Sequence, residues 1–164
     1  MVRLVPMNPA QYGQMRDRSL VAYAEDMVRI GVWSQIEAMD RSKKDFEKLL
    51  PDGLQTRDQY LFAIMADDGS EVGAVWYGIH PSPRGPSGFI WWLEIFEAFR
   101  RKGHAGAALQ ELEKDAVSKG ATYLGLNVFG HDQPAVALYR KLGYEATSFT
   151  MEKRIELPSR EAQE

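Results

Sequence analysis

Phe99-Arg100-Arg101-Lys102-Gly103-His104-Ala105-Gly106-Ala107-Ala108-Leu109 is the stretch that decides how the rest of the chain is read. It opens a helix in which Ala105, Ala108, Leu109, Leu112 and Ala116 recur at helical spacing on one face, with Glu111, Lys114, Asp115 and Lys119 on the others. The start of that helix is unusual. No Ser, Thr, Asp or Asn stands just before its first turn to take up the unpaired N–H groups, and Arg100, Arg101 and Lys102 crowd the positive end of the helix dipole. Gly103, Ala105 and Gly106 leave the backbone bare, so a phosphate could approach those N–H groups while the cations neutralise it. The alternative is a glycine-softened helix start with a solvated basic cluster.

The neighbouring residues favour the first reading. Residues 89–96 form an apolar and aromatic run of strand length directly before the loop, which makes the unit a strand, a turn and a crossover helix. The glycines do not fit the G-x-G-x-x-G spacing of dinucleotide sites, and no G-x-x-x-x-G-K-[ST] phosphate loop occurs.

Arg100, Gly103 and Ala105 fill the defined places of [Q/R]-x-x-G-x-[G/A], and here the chain resembles the GNAT family, the Gcn5-related N-acetyltransferases. Downstream, Asp132, Ala135, Leu138, Tyr139, Lys141, Gly143 and Tyr144 follow that family's N-x-x-A-x-x-L-Y-x-K-x-G-[F/Y] segment, with Asp in place of Asn at 132. Two motifs in the right order are far more specific than either alone.

The bulk properties set the frame. A chain of 164 residues, 45% of them hydrophobic, suits one domain with one core, expected over 1–157 and followed by a polar tail at 158–164. A net charge of −3 and an isoelectric point near 5.7 argue against a general nucleic-acid binder. With no cysteine there is no disulfide framework, thiol nucleophile or thiolate metal site, and His80, His104 and His131 show no metal-ligand spacing, so no metal is expected. Without a long apolar run or a cleavable leader, a cytoplasmic chain with no membrane partner is expected.

In chain order, 2–6 read as a strand, 9–30 as a helix and 34–50 as a second helix opened by a Ser34/Glu37 capping box with Ile36 on its apolar side. Strands follow at 60–66 and 71–79 around the turn at 67–69, then a proline-rich loop to 88 and the central strand 89–96. After the helix that closes at Gly120 come a strand at 123–129, a helix at 134–142 and, over 144–155, one further strand or two short ones. The fold class is α/β: a mixed, mostly antiparallel sheet flanked by helices. Strands 89–96 and 123–129 are its one expected parallel pair, and the resemblance implies that they splay apart at their C-terminal ends.

The resemblance further implies acyl transfer from acetyl-coenzyme A, as cosubstrate, to a primary amine by direct attack. The loop residues Arg100, Arg101, Lys102, Gly103, His104, Ala105 and Gly106 would hold the pyrophosphate, and the backbone of Leu93 and Ile95 would pair with pantetheine as an added strand. Lys141 could reach the adenosine phosphates or be a solvated helix charge. Asp132 could contact pantetheine or cap the following helix. Direct attack needs a base to free the amine, and Glu94, set among Trp91, Trp92, Leu93, Ile95 and Phe96, is the first candidate on the ground of desolvation; a solvent-facing strand residue is the alternative. Glu97 and His131 are weaker candidates. Tyr139 is the expected general acid for the departing thiolate, its alternative being an aromatic core residue. Tyr23, Trp33 and Asn127 are expected at the acceptor, where the acidic and aromatic surroundings suit a small cationic amine or amino acid. A homodimer is compatible with the sequence. The rival function is a non-catalytic coenzyme A sensor or partner-binding module on the same fold.

Overall fold

The computed structural model describes residues 1–155, so the polar tail expected at 158–164 lies outside the described residues. Strand β1 (Val2–Pro6) leads to helix α1 (Pro9–Arg29), which the Asn8 side chain and Gln11 cap reciprocally. Helix α2 (Ala38–Leu49) follows, then β2 (Gln59–Ala66), β3 (Glu71–His80) and β4 (Ser87–Ile95). Helix α3 (His104–Ser118), β5 (Tyr123–Leu126) and α4 (Gln133–Lys141) complete the regular structure of the described residues. The strands lie in one sheet in sequence order, antiparallel from β1 to β4 and parallel between β4 and β5.

Helices cover both faces, because β3 carries buried residues on each. On one face Val72, Val75, Tyr77 and Ile90 pack against Ala108, Leu109, Leu112 and Ala116 of α3. On the other, Leu61, Ala74 and Trp76 pack against Met15 and Leu20 of α1 and Phe46 of α2. The Tyr77 hydroxyl is buried and donates to Asp115, which also holds Lys119, so α3 is tied to the middle of the sheet.

Three expectations change. The strand expected at 123–129 ends at Leu126, where its ladder with β4 stops. Helix α2 begins at Ala38 rather than at Ser34: the Glu37 carboxylate accepts the Ser34 N–H at 3.3 Å, but no side chain caps the helix, and Ile36 is 96% exposed in the preceding turn. Half a capping box makes a turn here without nucleating the helix. The strand expected within 144–155 is absent as well. After Gly143, whose φ of 90° ends α4, the chain to residue 155 is irregular and, from residue 145 on, exposed throughout. Its alternating pattern has no strand beside it.

Candidate active site

Strand β4 contains one residue more than its neighbour. Trp76 pairs with Trp92 and Tyr77 with Ile90, which leaves Trp91 as a bulge. Side chains alternate along a strand, so the extra residue reverses the faces beyond it. Ile90 packs on the α3 side, Trp91 and Trp92 both lie on the side of Trp76, Leu93 and Ile95 return to the α3 side, and Glu94 reaches α1. Without the bulge Glu94 would face α3. Gly73 helps hold this arrangement, since a Cβ there would collide with the carbonyl oxygen of Glu94.

The bulge also falls where the parallel pair ends. The ladder between β4 and β5 runs from Ser87 with Tyr123 to Ile90 with Leu126 and goes no further, although β4 continues to Ile95. Phe96 donates its N–H to Val72 on the β3 side at 2.9 Å. By alternation, the N–H and C=O groups of Leu93 and Ile95 point to the opposite edge, where no strand pairs with them. One of those groups is used: Arg100 Nε donates to the Ile95 carbonyl at 2.9 Å. The side chain of Arg100 is thereby turned back toward the strand.

That open edge leads through a 3-10 turn, Glu97–Phe99, to the N-terminus of α3. Gly103 is the cap residue, with φ of 81° and no side-chain cap bond, and Arg101 also has positive φ, at 60°. Left-handed residues alternating with right-handed ones gather successive N–H groups into a concave anion-binding shape. A Cβ on Gly103 would meet nothing within 4 Å, so the space beside the cap residue is open. Lys102 Nζ donates to the Ala98 carbonyl at 3.2 Å and lies 5.5 Å from the centre of the Phe99 ring. Two of the three expected cations therefore brace the loop, and the third, Arg101, is exposed. His104 is the first residue of the helix, followed by Ala105 and Gly106.

Helix α4 adjoins this helix start, since a Cβ on Gly106 would lie 3.7 Å from Leu138 Cδ1. Asp132 caps α4 by accepting the Ala135 N–H at 3.1 Å. Tyr139 packs against the same core as Leu93, Ile95 and Phe99, edge-on to Tyr144 with ring centres 5.6 Å apart. Burial, and after it the charge of Asp132, holds its phenol above the ordinary value of 10.0. Lys141 is exposed in the last turn of α4, where a cation complements the helix dipole.

Across the sheet, a groove of about 430 Å³ is lined by Asp17, Arg18, Val21, Ala22 and Glu25 of α1 and by Trp92 and Glu94 of β4. Arg18 Nε donates to Glu94 Oε2 at 2.8 Å, and its guanidinium lies 4.8 Å from the centre of the Phe96 ring. Glu94 is thus an ion-paired carboxylate facing α1, where the sequence suggested an isolated one among apolar neighbours. Trp92 Nε1 is buried and has no hydrogen-bond partner. Tyr23 and Trp33 do not line this groove. Trp33 is buried in a small cluster with Ala24 and Ala38, and its ring meets Tyr23 edge-on at 5.1 Å. Tyr23 is partly exposed, and burial, with the charge of Asp45 after it, raises its pKa. Asn127 is exposed one residue beyond β5, and Glu97 is exposed in the turn before the loop. His131 Nε2 meets Asp26 Oδ1 at 3.2 Å, which joins the loop after β5 to the end of α1.

Asp17, Arg18, Val21, Ala22 and Trp92 are groove residues that the sequence reading missed. The signal lies in α1: positions 18, 21, 22 and 25 recur at helical spacing as a mixed polar and apolar face beside the buried one. Among the described residues no cluster of His, Asp or Glu could hold a metal, and no helix is long and apolar enough to cross a membrane.

Residues 21–144 match the profile of the acetyltransferase (GNAT) family. The uncharacterized N-acetyltransferase YdgE of Bacillus subtilis (strain 168) is 34% identical over 152 residues, which is 93% of this chain and 97% of that one. The crystal structure of the putative acetyltransferase YycN of Bacillus subtilis superposes with a TM-score of 0.87 at 33% identity, covering 96% of this chain and all of the other. A structure of AAC(6')-Iy in complex with the bisubstrate analog CoA-S-monomethyl-acetylneamine has a TM-score of 0.61 at 18% identity over 96% and 99% of the two chains, a likeness of fold.

Proposed function

The chain belongs to the acetyltransferase (GNAT) family, and from that premise we propose that it moves an acetyl group from acetyl-coenzyme A to the amine of a small cationic molecule or amino acid by direct attack. The observation that carries this reading is the open edge of β4 running into an uncapped helix start, with an acidic groove against the opposite face of the same strand at Glu94.

The residues present fit such a cosubstrate. The N–H groups at the start of α3, in the shape set by Arg101 and Gly103, suit a pyrophosphate, and exposed Arg101 supplies positive charge. The unpaired backbone of Leu93 suits an extended chain laid along β4, while Arg100 already occupies the Ile95 carbonyl. Bound acetyl-coenzyme A supplies an activated acetyl thioester. Asp17, Glu25 and Glu94 draw a cation into the groove, and Trp92 and Val21 give its carbon skeleton an apolar wall. Arg18 engages Oε2 of Glu94 and leaves Oε1 to receive the proton of the acceptor's ammonium. Tyr139 donates its phenolic proton to the leaving thiolate, and its raised pKa keeps that proton in place at neutral pH.

The test combines binding with turnover. Coenzyme A at about 100 times its Kd should stabilise the protein by about 2.7 kcal/mol. Acetyl-coenzyme A with a panel of small amines should release free thiol, read without background from the protein because the chain has no cysteine. A thermal shift with no thiol release from any amine would leave a coenzyme A sensor. The absence of both would overturn the assignment.

A further inference from the structure

Arg18, Val21, Ala22 and Glu25 recur as one stripe along α1, and all four line the groove together with Trp92 and Glu94 of β4. The stripe is polar at both ends and apolar between. At one end Arg18 Nε donates to Glu94 Oε2 at 2.8 Å. In the middle Val21, 46% exposed, and Ala22 share the groove wall with Trp92. Glu25 stands at the other end, two helical turns from Arg18, so the Glu94 and Glu25 carboxylates are about 10 Å apart along the helix axis. Their charges are not equally matched. Arg18 pairs with Glu94, and Arg16 pairs with Asp17, the third acid of the groove, at 2.8 Å. His131 meets the adjacent Asp26, and among the described residues no cation stands within ion-pairing distance of Glu25. Glu25 is exposed, so its carboxylate is open to a ligand.

A carboxylate, an apolar wall and a second carboxylate in line match a molecule with an amine at each end of a hydrocarbon chain. Each ammonium takes one acid, and the chain between them lies on Val21, Ala22 and Trp92. We propose that the acceptor is an unbranched α,ω-diamine of roughly five to seven carbons, the length at which C–C bonds of about 1.5 Å span the two carboxylates, and that Glu25 selects it by pairing with the distal ammonium. The inference rests on the reading of Glu94 as the group that faces the reacting amine. It also divides the acceptors that reading leaves open. An amino acid of the same length would bring its carboxylate into a groove lined by three acids and one guanidinium, with Arg18 already on Glu94 and over the Phe96 ring. Like charges disfavour that approach, so a free amino acid is the poorer substrate.

The test is kcat/KM with acetyl-coenzyme A for a series of α,ω-diaminoalkanes, each set against the n-alkylamine with the same number of carbons. In the parent the ratio of diamine to monoamine should peak at the proposed length at about fivefold or more, the scale of one ion pair at an exposed carboxylate. This length profile needs no variant. In Glu25→Gln the ratio should fall to about one, and Glu25→Lys should reverse the preference, favouring the ω-amino carboxylate of that length over the diamine. A merely structural role for Glu25 would lower both amines together and leave the ratio in place. A parent ratio of about one at every length, or a ratio that survives Glu25→Gln, would overturn the diamine assignment while acetyl transfer to amines stood. Coenzyme A binding without thiol release from any amine of either series would overturn the underlying reading and this inference with it.

Discussion

Gly103 and Gly120 allow a substitution in which backbone strain and ligand blockade separate. They sit at opposite ends of α3 with nearly the same conformation, φ of 81° and 84°, and a Cβ on either would meet nothing within 4 Å. Ala at each position should carry the cost of a left-handed L-residue, about 1–2 kcal/mol, with no steric collision to add. For a chain of this size each kcal/mol lowers Tm by about 2–4 °C, so both variants should melt a few degrees below the parent and within about a degree of each other. Coenzyme A should tell them apart. At Gly103 the methyl enters the open space from which a phosphate would approach the N–H groups, and it biases φ away from the value that gathers them. Losing one or two charge-assisted hydrogen bonds, at about 1.5–3 kcal/mol each, corresponds to a loss of roughly 100-fold in affinity. At Gly120, at the far end of the helix, affinity should stay at the parent value. Calorimetric titration of both variants with coenzyme A, beside their melting curves, is the assay. Equal affinities for the two would refute the pyrophosphate assignment at the α3 N-terminus.

Tyr139→Phe keeps the ring and its packing on Tyr144 and removes the phenolic proton. In steady-state kinetics with chemistry rate-limiting, kcat should fall by about 10²-fold while coenzyme A affinity holds. Glu94→Gln retains the shape of the groove wall and removes its charge beside Arg18. For cationic acceptors kcat/KM should fall at least tenfold, an effect of roughly 1.4 kcal/mol, with coenzyme A binding unchanged by calorimetry. Burial raises the phenols of Tyr77, Tyr139 and Tyr144, and Asp115 adds to the shift at Tyr77. The native state therefore holds those protons more tightly than the unfolded chain. Their contribution to stability is complete below the ordinary value of 10.0 and is lost as pH rises through the higher native values. Denaturant unfolding should show no tyrosine-linked loss between about pH 6 and 9 and a steep fall above about pH 10, with these phenols ionising together as the chain unfolds.

Most of the fold could be read from local pattern. The alternation of β2 and β3 around the turn at 67–69, the period of α1 and the glycines after α1, α3 and α4 each act within a few residues, and the structure has those elements within a residue or two of where they were expected. The failures share a cause. Ser34 and Glu37 look like a helix start, yet Ala38, which is buried beside Trp33 and Ala24, begins the helix instead. Burial of a small residue against α1 outweighs a cap whose second half is missing. Residues 144–155 alternate as a strand should, but a strand exists only where another lends it hydrogen bonds, and none of the described strands does so. Propensity is local and pairing is not.

The same division runs through the site. The Arg100, Gly103 and Ala105 spacing pointed to the helix start, and Asp132 caps α4 as its residue type suggests. Which face Glu94 takes, by contrast, depends on the single extra residue at Trp91, and nothing in Ile90-Trp91-Trp92-Leu93-Glu94 by itself says which residue bulges. The pairing partner decides it: Trp76 must meet Trp92 on the α1 side while Tyr77, tied to Asp115 of α3, must meet Ile90 on the other. Those demands fit only if β4 holds one residue more than β3 between them. Trp91 is the residue left over, its ring tilted against that of Phe89 with centres 4.5 Å apart. The bulge that turns Glu94 toward Arg18 and the groove coincides with the end of the β4–β5 ladder at Ile90. One inserted residue therefore aims the carboxylate at one face of the sheet just where the β4–β5 ladder has ended, so a carboxylate and an open backbone edge lie within four residues of each other on the same strand.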